Sequence, residues 1–216
     1  MLADDSQAVS VGFLEVGGAG FNLTSLKLDA DSSGDIYIEI LNSAGRTINT
    51  YSWYKNAFGK EDGWYNDDDE LIGDEAEDIV FTPGTGLWLT GIDGEVLTTA
   101  GKVFQADLAL TLQDDSQMLG NPYPAPIGLA ENIEIDTDAS SGDIYIEMLN
   151  SAGRTVATYS YYKNAFGKDD GWYNDDDELI GDEVDDVIFP AGQGLWVTGV
   201  DGDGFNITSP IPASAN

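Results

Sequence analysis

The sequence predicts an all-β protein made of two tandem β-sandwich (Ig-like) modules, residues 1–103 and 104–216, and three observations carry that prediction. Residues 31–94 align with 139–202 at a constant offset of 108, with 49 identities in 64 positions and no gap, which marks an internal repeat. Apolar residues alternate with period two in short runs cut by Gly, Pro, Asn and Asp, as strands with one buried face require. No stretch keeps a helical period. Differences between the copies, such as Ile40/Met148, Ile48/Val156, Trp53/Tyr161 and Leu89/Val197, preserve volume and pattern, so both copies are expected to keep one fold.

Taken in order, residues 8–16 read as a strand because Val9, Val11 and Phe13 alternate with small residues, and the glycines at 17, 18 and 20 end it. Residues 21–28 alternate again before the polar turn 29–35. Ile36, Ile38 and Ile40 face one way and Tyr37 and Glu39 the other. With turn chemistry at 42–46 and renewed alternation over 47–54, residues 36–54 form a β-hairpin. An Asp-rich loop follows. Strands are expected at 79–81, 87–90 and 96–99, the first two separated by Pro83-Gly84-Thr85-Gly86. In the bridge between copies, residues 104–113 place Ala106, Leu108, Leu110 and Leu112 on one face and are assigned the role of the N-terminal strand of the first module. Pro122, Pro124 and Pro126 then fix an extended edge segment, because proline cannot donate to a ladder.

Composition narrows the chemistry. The chain has 40 Asp and Glu against 8 Lys and Arg, a net charge of −32, which repels nucleic acid and anionic membranes and favours cationic partners. It has no Cys and no His, which removes thiol nucleophiles, disulfides, His-based triads and the usual zinc sites. The opening Met-Leu-Ala-Asp-Asp has neither a basic nor an apolar leader region, and no apolar run approaches a membrane span.

The charge is concentrated. The stretch 62–75 returns at 170–183 without one change, and the windows 61–78 and 169–186 each hold 10 carboxylates with no Lys or Arg. Crowded carboxylates oppose compaction unless a cation or solvent relieves them. One reading is a Ca²⁺ site with Asp67, Asp69 and Asp74 as ligands, repeated at Asp175, Asp177 and Asp182, since Ca²⁺ takes six to eight oxygens; the other is a solvated acidic surface. Asp29-x-Asp31-x-Ser33-Gly34 resembles half an EF-hand loop, but its twelfth position is Ile40 and its flanks are strands, so an Asx-type turn is expected. Tyr51, Trp53, Tyr54, Trp64 and Tyr65 either stack on sugars or fill the sandwich, the second being favoured. Paired acids for glycoside hydrolysis need distinct environments, and a repeated crowded loop points to structure instead, so no enzyme is expected. Asn22 and Asn206 lie in glycosylation sequons.

The run Leu119-Gly120-Asn121-Pro122-Tyr123-Pro124-Ala125-Pro126-Ile127, with Pro83-Gly84-Thr85-Gly86-Leu87-Trp88 and Ala191-Gly192-Gln193-Gly194-Leu195-Trp196, resembles the opening and close of an all-β module of secreted bacterial surface proteins. The second half carries both ends, the first only the close. The resemblance implies a secreted or cell-surface location and tandem architecture, and no catalytic activity. Because residues 205–208 repeat the strand after which the second module begins, identical subunits are expected to join head to tail, the N-terminal strand of one adding to the next. The expected function is a Ca²⁺-stabilised, non-enzymatic subunit of an extracellular filament; the alternative is a Ca²⁺-dependent carbohydrate-binding or adhesive module.

Overall fold

The computed structural model describes residues 6–10, 12–14, 20–91, 97–98, 101–113 and 115–212. In the first half, β1 (Ser6–Ser10), β2 (Ser32–Leu41), β3 (Thr47–Lys55), β4 (Gly63–Tyr65) and β5 (Gly86–Thr90) form an antiparallel sheet in the order β1-β5-β2-β3-β4. In the second, β6 (Asp115–Gly120), β7 (Ser140–Leu149), β8 (Thr155–Lys163), β9 (Gly171–Tyr173) and β10 (Gly194–Gly199) take the equivalent order β6-β10-β7-β8-β9. Short ladders cover one face of each sheet. In the first half these pair Phe21–Asn22 with Val80–Phe81 and Lys27–Leu28 with Leu97–Thr98. In the second, Ile127–Gly128 pairs with Ile188–Phe189, and Gly204–Ile207 lies between Leu108–Thr111 and Ile133–Asp136. The fold is therefore all-β and sandwich-like.

Alternation decides what each sheet buries. Ile36, Ile38, Leu87 and Leu89 turn inward onto Phe21, Leu28 and Phe81, and Ile144, Ile146, Leu195 and Val197 turn onto Phe189, Phe205 and Ile207, giving two separate cores. Each such side chain contributes about 1.5–3 kcal/mol by leaving water. The hairpins β2–β3 and β7–β8 both slip register beside Gly34 and Gly142, whose φ of +97° and +91° put them in left-handed backbone. A Cβ there would lie 2.8 Å from the hydroxyl of Tyr54 or Tyr162, so only glycine fits.

Several expected elements take other forms. The strand expected over 8–16 is β1 at Ser6–Ser10 followed by Phe13–Leu14, which pairs with Lys102–Val103 instead of extending β1; residues 11, 15 and 16 lie outside the described residues. Residues 21–28 break around a single 3-10 turn at Leu23–Ser25, and Leu129–Asn132 forms one turn of α-helix that no periodicity announces. The counterpart of the N-terminal strand is β6, not residues 104–113. Ser6 stands opposite Thr90 and Ser116 opposite Thr198, with hydroxyl–hydroxyl contacts of 2.5 and 2.6 Å. Leu108–Thr111 instead adds to the outer edge of Gly204–Ile207.

The halves join reciprocally. β1 and β6 are edge strands of their sheets, and each donates a main-chain hydrogen bond to the turn before the other half's Gly-Leu-Trp strand: Ser10 N to Gly192 O at 2.8 Å, and Gly120 N to Gly84 O at 3.1 Å. Isolated bridges repeat the exchange at Val9–Gln193 and Thr85–Leu119. A Cβ on Gly86 would sit 2.3 Å from Leu119 O, and one on Gly194 2.7 Å from the Ala8 Cβ. The glycines of the closing motif are thus the price of close backbone approach between the halves. Such reciprocity is the pattern of a two-fold interface, here within one chain.

Candidate functional site

The acidic loops begin as strands. Trp64 on β4 is buried, packs 5.3 Å from Trp53 and donates its indole N–H to Leu26 O at 3.0 Å. Trp172 on β9 does the same with Tyr161, at 5.1 Å, and with Ile133 O, at 3.0 Å. Tyr51, Trp53, Trp64 and Tyr65 expose at most 7 % of their surfaces, so these four rings anchor the loop in the core, while Tyr54 is half-buried with the Lys60 ammonium over its face.

Beyond β4 the chain folds on itself. Asn66 Oδ1 accepts from the amides of Asp68 (3.1 Å) and Glu70 (2.8 Å), its amide nitrogen donates to Glu70 (2.9 Å), and a Glu75 carboxylate oxygen accepts from Leu71 N (3.0 Å). Ile72 plugs the loop onto the core. The loop's outgoing acid ties it to the helical turn behind: Asp78 accepts from the hydroxyl and amide of Thr24, and Asp186 from the amides of Ala130 and Glu131.

A lysine closes each loop. Lys60 Nζ lies 3.8 Å from the centroid of the Tyr54 ring and 4.3 Å from that of Tyr65, and it pairs with Asp69. Lys168 repeats the arrangement over Tyr162 and Tyr173 with Asp177. The hydrogen bond to the aspartate, ahead of the other contributions, raises each ammonium above its ordinary pKa, and the ring faces add cation–π attraction.

The six aspartates named from the sequence are all exposed and have different partners. Asp67 accepts from Thr50 N at 3.2 Å and Asp175 from Thr158 N at 3.4 Å, while Asp69 and Asp177 hold the lysines. Asp74 and Asp182 edge the clefts behind the loops. Among the described residues no group of three or more acidic side chains is arranged to hold a metal. Asp31 accepts from the Asn56 side chain at 2.6 Å, a contact between the outer ends of the β2–β3 hairpin and not a bond within the turn expected at 29–35. Asn22 lies in the short strand beside Val80, whereas Asn206 lies in a strand paired on both sides, so the two look-alike sequons occupy different places in the fold.

Two features escaped the sequence reading. Phe58 and Phe166 are 81 % and 80 % exposed and sit in left-handed backbone, φ +53° at both. The reciprocal junction of the halves was also missed, although Asp-Asp-Ser-Gln at 4–7 and again at 114–117 signals that β1 and β6 correspond. No helix among the described residues is long and apolar enough to cross a membrane. Comparison with protein-family models, curated proteins and solved structures finds no match for this chain.

Proposed function

We propose that this chain is a non-enzymatic structural protein of the bacterial cell surface or extracellular space, a two-module β-subunit that assembles head to tail into filaments. The observation that carries the reading is the use made of strand edges: β1 and β6, the edge strands of their sheets, each dock main chain to main chain on the neighbouring half. β1 already pairs with β5 in its own chain, so addition to a neighbour takes the form of strand exchange, in which an identical segment from another copy makes the same bonds. The tyrosines and lysines whose titration is clearly shifted do not move toward neutrality. Burial raises Tyr51, Tyr65, Tyr123, Tyr159, Tyr161 and Tyr173, and the paired lysines are raised too, all away from the neutral range where acid–base catalysts operate.

A cysteine pair tests the exchange in a chain that has no cysteine of its own. Ser6→Cys with Thr90→Cys, oxidised after assembly, is expected to give covalent multimers on a denaturing gel. A product confined to intramolecular cross-links at every concentration overturns strand exchange.

Ca²⁺ enters this reading as a lock on the loops, drawing on Asp67, Asp69 and Asp74 and on Asp175, Asp177 and Asp182. Recruiting Asp69 or Asp177 requires displacing Lys60 or Lys168. Lys60→Ala with Lys168→Ala should therefore tighten Ca²⁺ binding in calorimetry, and unchanged or weaker binding removes these residues from the ligand set. The adhesive, carbohydrate-binding alternative is favoured by Phe58 and Phe166: these rings meet Tyr54 and Tyr162 only edge-on, at 6.5 and 6.4 Å, and remain exposed at positive φ, a conformation that costs about 1–3 kcal/mol. A glycan array probed with the chain, with and without chelator, separates it from the structural reading.

A further inference from the structure

Between the two five-stranded sheets lies a cleft of about 630 Å³ that neither the acidic loops nor the strand edges explain. Its walls come in equivalent pairs: Trp88 and Trp196, Glu39 and Glu147, Leu41 and Leu149. Register produces the pairing. Glu39 stands opposite Trp88 across β2 and β5, and Glu147 opposite Trp196 across β7 and β10. Alternation places all four on the sheet faces turned away from the two cores. Each indole reaches beneath a turn of the other half, its Cζ2 3.9 Å from where a Cβ on Gly153 or Gly45 would sit.

The carboxylates are oriented. Thr47 and Thr155 each donate a hydroxyl to Oε1 of Glu39 or Glu147 at 2.6 Å, which fixes the side chain and leaves lone pairs for a further donor. Among the described residues no Lys or Arg lines the cleft, and the net charge of −32 disfavours any anionic occupant.

We propose that this cleft binds a linear aliphatic diamine or polyamine, one ammonium at each glutamate and the methylene chain between the indoles and leucines. The carboxylates and the indole faces attract cations, the apolar walls suit methylenes, and two equivalent anionic ends favour a bis-cation over a monoamine by effective concentration. The inference is independent of the filament reading.

Titration calorimetry on the full chain at fixed ionic strength tests it, with butylamine, α,ω-diamines from propane to octane, spermidine and the neutral disaccharide maltose as probes. The expected result is one diamine per chain, an optimum in chain length, and a monoamine at least about tenfold weaker. Glu39→Gln and Glu147→Gln should each weaken binding about tenfold, while Asp68→Asn with Asp176→Asn in the acidic loops leaves it unchanged. Affinity that rises with charge and shows no length optimum overturns the proposal, as does equal weakening by the loop variants; either reveals general attraction to an acidic surface. Maltose binding without diamine binding overturns it in favour of a sugar. The length series uses the unaltered chain and stands whatever the variants do to folding.

Discussion

The acidic loop of the first half and its copy in the second share their asparagine, lysine and tryptophan bonds and differ at the outgoing acid, where Asp78 takes the Thr24 hydroxyl and Asp186 a second main-chain amide. Asn174 Oδ1 accepts from Asp176 and Glu178 at 3.0 and 2.9 Å, as Asn66 does from Asp68 and Glu70, and each loop has its lysine clasp and its buried tryptophan. The segments that open the halves differ. In the second, Asn121 is fully buried, donating to Ala125 O and Pro190 O at 2.9 and 3.0 Å and accepting from Tyr123 N at 2.9 Å. Tyr123 reaches across the core to Ala106 O and Ile207 O, at 2.9 and 3.0 Å. Ser10 and Gly120 make equivalent junction bonds, so Asn121 corresponds to Val11, and the Asn-Pro-Tyr-Pro lock has no sequence counterpart in the first half. The Asn66 and Asn174 networks close within four residues, so identical sequence gives identical local structure, and each loop is also anchored at long range through its tryptophan. The openings are held by contacts tens of residues away, so they are free to diverge while the sheet order stays the same.

The largest effect should break that comparison. Asn121→Ala removes a fully buried amide that serves Ala125 O, Phe189 O and Pro190 O and is expected to cost about 3–5 kcal/mol, with hydrogen exchange showing the second half opening first; uniform loss across both halves contradicts the lock. Next, Trp64→Phe and Trp172→Phe should each cost about 2–4 kcal/mol in denaturant melts, similar because both lose the same indole hydrogen bond although the neighbouring ring is Trp53 in one half and Tyr161 in the other; a large cost in one half and none in the other shows the loops are not equivalent. Tyr123→Phe is smaller at pH 7, about 1–2 kcal/mol. Its signature is alkaline. Burial pushes the Tyr123 hydroxyl from 10.0 up to about 12, so the native state favours the neutral phenol. That contribution is complete below pH 10 and is lost as pH rises through about 12, up to about 2–3 kcal/mol. Stability of the variant should fall less steeply over this window, and an identical slope contradicts the burial argument. The smallest effect belongs to Lys60→Met and Lys168→Met, because exposed ion pairs contribute little: slightly faster exchange at the Glu70 and Glu178 amides, matched in the two loops. A global loss of stability would show that the clasp supports the core.

Sequence made the loops and hairpins legible because alternation and turn residues act locally. Trp64 reads as an anchor for the same reason, an aromatic within an acidic stretch needing a place to go. The density of Asp67, Asp69 and Asp74 was visible, but not the direction of their side chains, and Thr50 N and Lys60 Nζ pull two of them to different partners. The role of β6 was hidden because the offset between β1 and β6 is 110 residues rather than 108, and Leu108, Leu110 and Leu112 alternate more clearly than Ser116-Gln117-Met118. The junction and its cleft depend on main-chain atoms and on what lies opposite a glycine, which no periodicity records.

The most direct test of a filament-forming structural protein is particle size by light scattering with negative-stain microscopy, across a concentration series at fixed salt, with and without chelator. The account predicts filaments that lengthen with concentration and dissolve when Ca²⁺ is removed. A monodisperse monomer at every concentration, unaffected by chelator, would contradict it.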